Sequence, residues 1–491
     1  MKYKVWGIIA CALMLLISAI NLPLLLTADT GRYHQHLEAE PKQPCPHTDN
    51  TFCTHLPLIT IHTGGVEIPG RAIVEEGKTT GYTTAADGSD RIRAKLSVFD
   101  NKTTNNHPTD VPAVTSDISI HVRGNSSRTY DKLGYRINLI DEKGGNNPQS
   151  LIGMTAHHEW VLHGPILDKT LLRNYMWYNI AGEIMDYAPN VRFCELLLDG
   201  EYMGVYVLVE NITAGKNGSR LNLTVDAKDN TFTGYVLLLD RPDNEEQNHL
   251  KSFTTYTLRT NLKLEIVYPG APNLTPKILE GIKQDFSAFE KSLYSYDYDN
   301  NQYGYEKLID VDSFVDYFLI NEFTCNYDAG WLSTYMYKDI DGKFRMCIWD
   351  FNSACDNYQQ SMMQPGHFEL QNCLWYFMLT KDENFTKRCV KRYHELRQTY
   401  LSEDYLCRYI DSTVEYLGAA IARNYEKWGY SFEESHDLLK PIERNPRSYE
   451  ESLAQLKWFI SYRGSWLDEN IESITQYSAG SKVKKFNENA N

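Results

Sequence analysis

The chain has 491 residues, 42% of them hydrophobic and 12% aromatic, with a formal net charge of -15. That is ordinary globular material, long enough to bury one large core or two coupled ones. The acidic balance argues against a nucleic-acid partner, because phosphate binding needs a basic footprint.

The first element is an uncharged apolar run from Val5 to Leu26, 22 residues long, behind Lys2 and Lys4. A run of about 18 or more such residues can cross a bilayer as a helix. No positive charge follows until Arg32, so the lysine side is expected in the cytosol and the rest outside. Residues 1–30 are therefore read as a signal anchor, or as a signal peptide if cleaved. The remainder is expected outside the cytoplasm, membrane-anchored or secreted.

Residues 31–55 read as a polar stalk. They carry Cys45-Pro-His47 and Cys53-Thr-His55, a spacing open to two readings. One is a four-ligand zinc site; the other, favoured by an oxidising compartment, is a disulfide closing a short loop. Cys347/Cys355 and Cys389/Cys407 are weaker pairing candidates, and Cys194 is the thiol expected to stay free.

From Leu56 the pattern is strand-like. Leu56–Ile61, Arg91–Phe99, Ile118–Arg123 and Tyr135–Ile140 are strand candidates, the second and third alternating with period two between turn-rich connections. A helix is predicted over Lys169–Asp186 with Asp168 as its N-cap. Strands at Val191–Leu198 and Gly204–Glu210 flank Asp199-Gly200, a hairpin dipeptide. Another strand is expected at Gly234–Asp240, and helices over 276–295, 311–324 and most of 380–475. Strands first and helices later define an α+β class. The division expected is a β-rich lobe at about 56–245, a mostly helical lobe at about 246–475 and a polar tail over 476–491.

Three segments carry candidate chemistry. Arg123-Gly-Asn-Ser-Ser-Arg128, followed by Lys132, puts guanidinium forks and turn N–H groups where an oxyanion could sit; a solvated hairpin with structural arginines gives the same pattern. Asp328 follows an apolar helix and Asp350 a strand. Two acids so placed are costly to bury unless paired or metal-bound. They suit phosphoryl transfer, with one acid for the hydroxyl and one acid plus the amide of Asn352 for Mg²⁺. They also suit a glycosidase, or plain capping and ion pairing. Glu210 ends an apolar strand and calls for a buried cation, for which Lys132 is nominated. Neither Gly-x-Ser-x-Gly nor His-Glu-x-x-His occurs.

In order, the chain contains Leu56-Pro-Leu-Ile-Thr-Ile61, Arg123-Gly-Asn-Ser-Ser127, Gly134-Tyr-Arg-Ile-Asn-Leu139, Asp199-Gly-Glu-Tyr-Met-Gly-Val-Tyr206, Asn326-Tyr-Asp328, Trp349-Asp-Phe351 and Trp458-Phe-Ile-Ser-Tyr-Arg463. This ordered set resembles the CotH family of spore-coat-protein-H-like atypical kinases, over about residues 56–475. The resemblance implies a divergent protein-kinase-like fold and phosphorylation of Ser or Thr on exported proteins, with ATP and Mg²⁺ (or Mn²⁺) as cofactors. It implies that Lys132 holds ATP phosphates and Glu210 orients it. It further implies that Asp328 is the catalytic acid and Asp350 the metal-binding one. Arg123 and Arg128 would cover the phosphates in place of a Gly-x-Gly-x-x-Gly loop.

Two positions depart from the family pattern. Leu133 stands where many relatives have a second lysine, and Asn352 where they have a second aspartate. An amide ligates Mg²⁺ with less charge neutralisation. A catalytically inactive kinase fold serving as a surface adhesin or scaffold is the alternative.

Overall fold

The computed structural model describes residues 32–43, 45, 51–215, 220–224, 233–241, 248–252, 262–362 and 364–480. The expected anchor, residues 1–30, lies outside them. Among the described residues no helix is long and apolar enough to cross a membrane.

The β-rich front closes on itself. After β1 (Leu58–His62), a small hairpin of β2 (Ala72–Glu75) and β3 (Lys78–Tyr82) forms a separate two-stranded sheet. Next come β4 (Ile92–Phe99), β5 (Val114–Arg123), β6 (Gly134–Ile140), β7 (Glu159–His163), β8 (Val191–Leu198) and β9 (Glu201–Glu210). With β1 they make a closed barrel in the order β1-β4-β5-β6-β7-β9-β8. Alternation drives this: in β5, Ser116, Ile118, Ile120 and Val122 are buried while the residues between them are only partly so. Ile59, Leu96, Ile137, Trp160, Leu162 and Leu208 complete the interior. Closure depends on a parallel pairing of β1 with β8, Leu58 opposite Glu195. Local periodicity carries no sign of such a long-range contact.

The predicted β8–β9 hairpin forms. Asp199 (φ +48°) and Gly200 (φ +85°) both sit in the left-handed region that a two-residue turn of this hand requires. The helix expected from Lys169 begins later, at Arg173, and runs to Ile184. Asp168 nonetheless serves its start, accepting from the N–H of Arg173 at 2.7 Å and of Thr170 at 3.1 Å. This helix packs on the outer face of β8, where Tyr175 stacks on Phe193, so β8 is buried on both faces.

A second sheet has the order β11-β12-β10-β13-β14, built from β10 (Tyr235–Asp240), β11 (His249–Leu250), β12 (Lys263–Tyr268), β13 (Thr334–Lys338) and β14 (Arg345–Cys347). It takes strands from both sides of residue 245. The helix Val311–Thr324 lies where expected, N-capped by Asp310 and stopped by Cys325 at φ +44°. The predicted helical end consists of Glu383–Arg397, Glu403–Leu417, Ala419–Trp428 and Tyr449–Asn470. The observed class is α+β.

The disulfide expectations are not met. All nine cysteines from Cys45 onward are free. Cys389 is wholly buried within its helix while Cys407 is partly exposed on the next one, so those two thiols occupy different environments. Cys194 is free and buried, as expected.

Candidate active site

Sheet topology puts three carboxylates at one edge. β10 is antiparallel to β13, and β13 to β14, so β10 and β14 run in the same direction. Their C-terminal ends, and the start of β13 between them, therefore emerge together. Asp240 is the last residue of β10, Asp350 lies just past β14, and the loop entering β13 carries Asp328. Ser333, one residue before β13, donates to Asp240 from its N–H (3.3 Å) and Oγ (3.4 Å).

The Trp349-Asp350-Phe351 loop is held from three directions. The Asp350 N–H donates to the Tyr178 hydroxyl at 3.0 Å, and the Phe351 N–H to Asn174 Oδ1 at 2.7 Å. Asn326 Nδ2 donates to the Asp350 carbonyl at 3.2 Å and to Asn321 Oδ1 at 3.1 Å. These contacts fix Asp350 at φ +59°, where a non-glycine residue is strained.

The acids perturb one another. Burial, then the Asp350 charge, raises the Asp328 carboxyl to about 7, with Asp240 adding in the same direction. Asp350 is raised by burial and by Asp240, against the pull of Arg123. Asp240 is itself raised by burial. Desolvated acids crowded at element ends are a functional signature.

Arg123, the last residue of β5, faces this cluster with its guanidinium 5.6 Å from the Trp349 ring centroid. In the turn after it, Gly124 (φ +111°) lets Ser127 Oγ approach so closely that a Cβ there would stand 1.9 Å from it. The turn also supplies Tyr130, whose buried hydroxyl feels the Asp350 charge. Arg128 turns elsewhere: its guanidinium lies over Tyr82, 4.2 Å from the centroid.

Lys132 and Glu210 do not pair, which corrects the sequence expectation. Lys132 is buried and donates to Asn424 Oδ1 at 2.7 Å, beside Tyr206. Burial holds its ammonium well below the ordinary lysine range, opposed by Glu195 and then Asp168. Register explains the choice of partner. Gly204 lies beside the Lys132 ammonium, and Val205 pairs with Glu195 across the β8–β9 ladder. Glu210 is six residues beyond Gly204, roughly 20 Å at about 3.3 Å per residue. Its carboxylate instead accepts from Asn190, at 2.9 Å from the N–H and 3.0 Å from Nδ2. His163, pushed down to about 3 by burial, feels Arg123 and Lys132 and so marks the space between them.

The structure thus brings Arg123, Asp328 and Asp350 together, with Asn352 two residues on, its Oδ1 accepting from Asn174 at 3.4 Å. It keeps Arg128, Lys132 and Glu210 out of that cluster. Asp240 and Glu195 are absent from the sequence candidates. Asp240 had the same signal as Asp350 and Glu210, an acid ending an apolar strand; Glu195 lies inside an apolar strand and has none. The residues fit a divalent cation with a phosphate ligand. Like-charged acids need a counter-charge, and Asn326, whose Oδ1 is buried without a hydrogen-bond partner, lies in the loop beside them.

A crowded set of desolvated carboxylates faced by an arginine can hold a metal ion and a phosphate. The chain belongs to the CotH family: the family model described as "CotH kinase protein" matches residues 120–467, which include every residue of this site. None of the curated proteins matches the sequence.

Proposed function

We propose that the chain is an exported atypical kinase, with a divergent protein-kinase-like fold, that transfers phosphate from ATP to Ser or Thr of exported proteins. The observation that carries this reading is the convergence of Asp240, Asp328 and Asp350 on one sheet edge opposite Arg123. Asp350 and Asn352 would hold Mg²⁺ or Mn²⁺, with Asp240 adding negative charge, and Arg123 would meet phosphate oxygens. The bound metal supplies neutralisation of charge on the transferring phosphoryl group. Asp328 accepts or orients the proton of the substrate hydroxyl, for which a carboxyl raised to about 7 is well matched. Lys132 sits behind His163, held by Asn424, and the carboxylate whose field it feels is Glu195 and not Glu210. The apolar N-terminal run supports a site facing away from the cytosol, tethered or released.

Incubating the purified chain with labelled ATP and Mg²⁺ or Mn²⁺ tests this. Phosphate should transfer to protein Ser or Thr, and Asp328→Asn and Asp350→Asn should abolish it. No transfer by wild type, or equal transfer by the variants, overturns the reading. The second reading, an inactive scaffold, is favoured by Asn352, whose amide is engaged by Asn174. It requires that nucleotide plus metal leave the melting temperature unmoved.

A further inference from the structure

A second cluster lies away from the acidic edge, where the chain enters the barrel. One ligand atom each from Cys45, Cys53 and His107 lie within 4.8 Å of one another. Cys45 Sγ is 3.0 Å from His107 Nε2. The other ring nitrogen, Nδ1, is 3.2 Å from Asp110 Oδ2, which also accepts from the His107 N–H at 2.9 Å. A carboxylate on Nδ1 takes the imidazole proton there and leaves the Nε2 lone pair directed at the sulfurs. That is the support metal-binding histidines use. Asn105 Nδ2 donates to Cys53 Sγ at 3.1 Å, which orients that sulfur.

The ligands sit on a braced frame. Thr54 and Asn106 exchange backbone hydrogen bonds at 3.1 and 2.7 Å, and Asn106 Nδ2 donates to the Leu56 carbonyl at 2.7 Å. Asn101 ties Asp110 from behind at 3.2 Å. His107 is buried. His55, which spacing alone would recruit, is committed elsewhere, with Nε2 2.6 Å from the Tyr416 carbonyl oxygen.

We propose that Cys45, Cys53 and His107 bind a zinc-class divalent cation that clips the segment before the barrel to the β4–β5 loop. Two thiolates and one imidazole suit Zn²⁺, balance its charge and leave one tetrahedral position for a further ligand. With Zn–S at about 2.3 Å and Zn–N at about 2.0 Å, tetrahedral geometry needs S···N near about 3.5 Å, so Cys45 and His107 part by only about half an ångström on binding. The site is independent of the kinase reading, since none of its residues belongs to the acidic edge.

The test uses the full chain, purified in detergent with reductant and Zn²⁺, then dialysed against metal-free buffer. One zinc per chain should remain by elemental mass spectrometry, and Cys45→Ser and Cys53→Ser should lose it. Asp110→Asn should weaken affinity about 10–100-fold while leaving the ligands in place. Replacement by Co²⁺ gives a readout that does not depend on variants folding. A thiolate-to-cobalt charge-transfer band should appear in wild type and persist in Asp328→Asn and Asp350→Asn. Absence of that band, or recovery of a metal-free chain with Cys45 and Cys53 joined as a disulfide under these reducing conditions, overturns the proposal.

Discussion

The barrel and the sheet edge both bury acids, and they treat them in opposite ways. In the barrel, Glu195 accepts from Arg423 Nε and Nη2 at 3.0 and 2.8 Å and from the Tyr202 hydroxyl at 2.5 Å. Nearby, Asp168 is bonded to Arg173, Thr170 and two backbone N–H groups. At the sheet edge, Asp328 and Asp350 are desolvated and pushed upward by like charge. Paired buried acids hold a structure together; underpaired ones cost stability and persist where a ligand supplies the missing charge. The contrast predicts that sheet-edge substitutions damage function and spare the fold, and that barrel substitutions do the reverse.

The largest expected effect is on catalysis. Asp328→Asn should lower phosphoryl transfer by about 10²–10⁴-fold, the range for losing a general acid–base group. Asp350→Asn should also lose transfer, while asparagine keeps the tolerance for positive φ that alanine would lack. Both variants should keep the wild-type urea midpoint or exceed it, because each relieves like-charge crowding. A large drop in midpoint would erase the distinction between the two regions. Next comes Glu195→Ala. It strands Arg423 and should cost ~3–5 kcal/mol by denaturant unfolding.

The third expectation concerns pH in the metal-free protein. Asp328 has a folded value of about 7, above the ordinary carboxylate value of about 4. Between those values the folded chain holds a proton that the unfolded chain has released. Stability therefore falls as pH rises through that window, and the contribution is gone above about 7. Asp328→Asn should flatten this part of the profile. Asp350→Asn should bring the Asp328 midpoint down only partway, since burial is the larger cause. Carboxyl titration by NMR reads both.

What the sequence made legible follows the range of the physics involved. The β8–β9 turn depends on two adjacent residues, Asp199 and Gly200, and the helix Val311–Thr324 on one cap and one apolar run. Both could be read locally. Barrel closure depends on β1 meeting β8 across more than a hundred residues, and the Lys132 partner depends on ladder register, which puts Glu195 and not Glu210 at its level. Asp328 and Asp350 could be singled out as acids at element ends, yet Asp240 joins them only because β10 and β14 flank β13. Cys45 and Cys53 stood out by spacing, whereas His107 arrives from another loop.

The smallest effect gives the finest test, because Asp199 is a barrel acid that is paired yet far from fully buried. Its carboxylate accepts from the Thr63 N–H at 2.8 Å, the Thr63 hydroxyl at 2.5 Å and the Gly64 N–H at 3.3 Å. Asp199→Asn keeps the side-chain oxygen and the tolerance for positive φ, and should cost no more than ~1 kcal/mol. Asp199→Ala loses the acceptor and strains the turn, and should cost ~1–2 kcal/mol. Both should leave phosphoryl transfer unchanged when it is assayed below the onset of unfolding. If Asp199→Asn instead reduced transfer at full stability, pairing would no longer separate the structural acids from the functional ones.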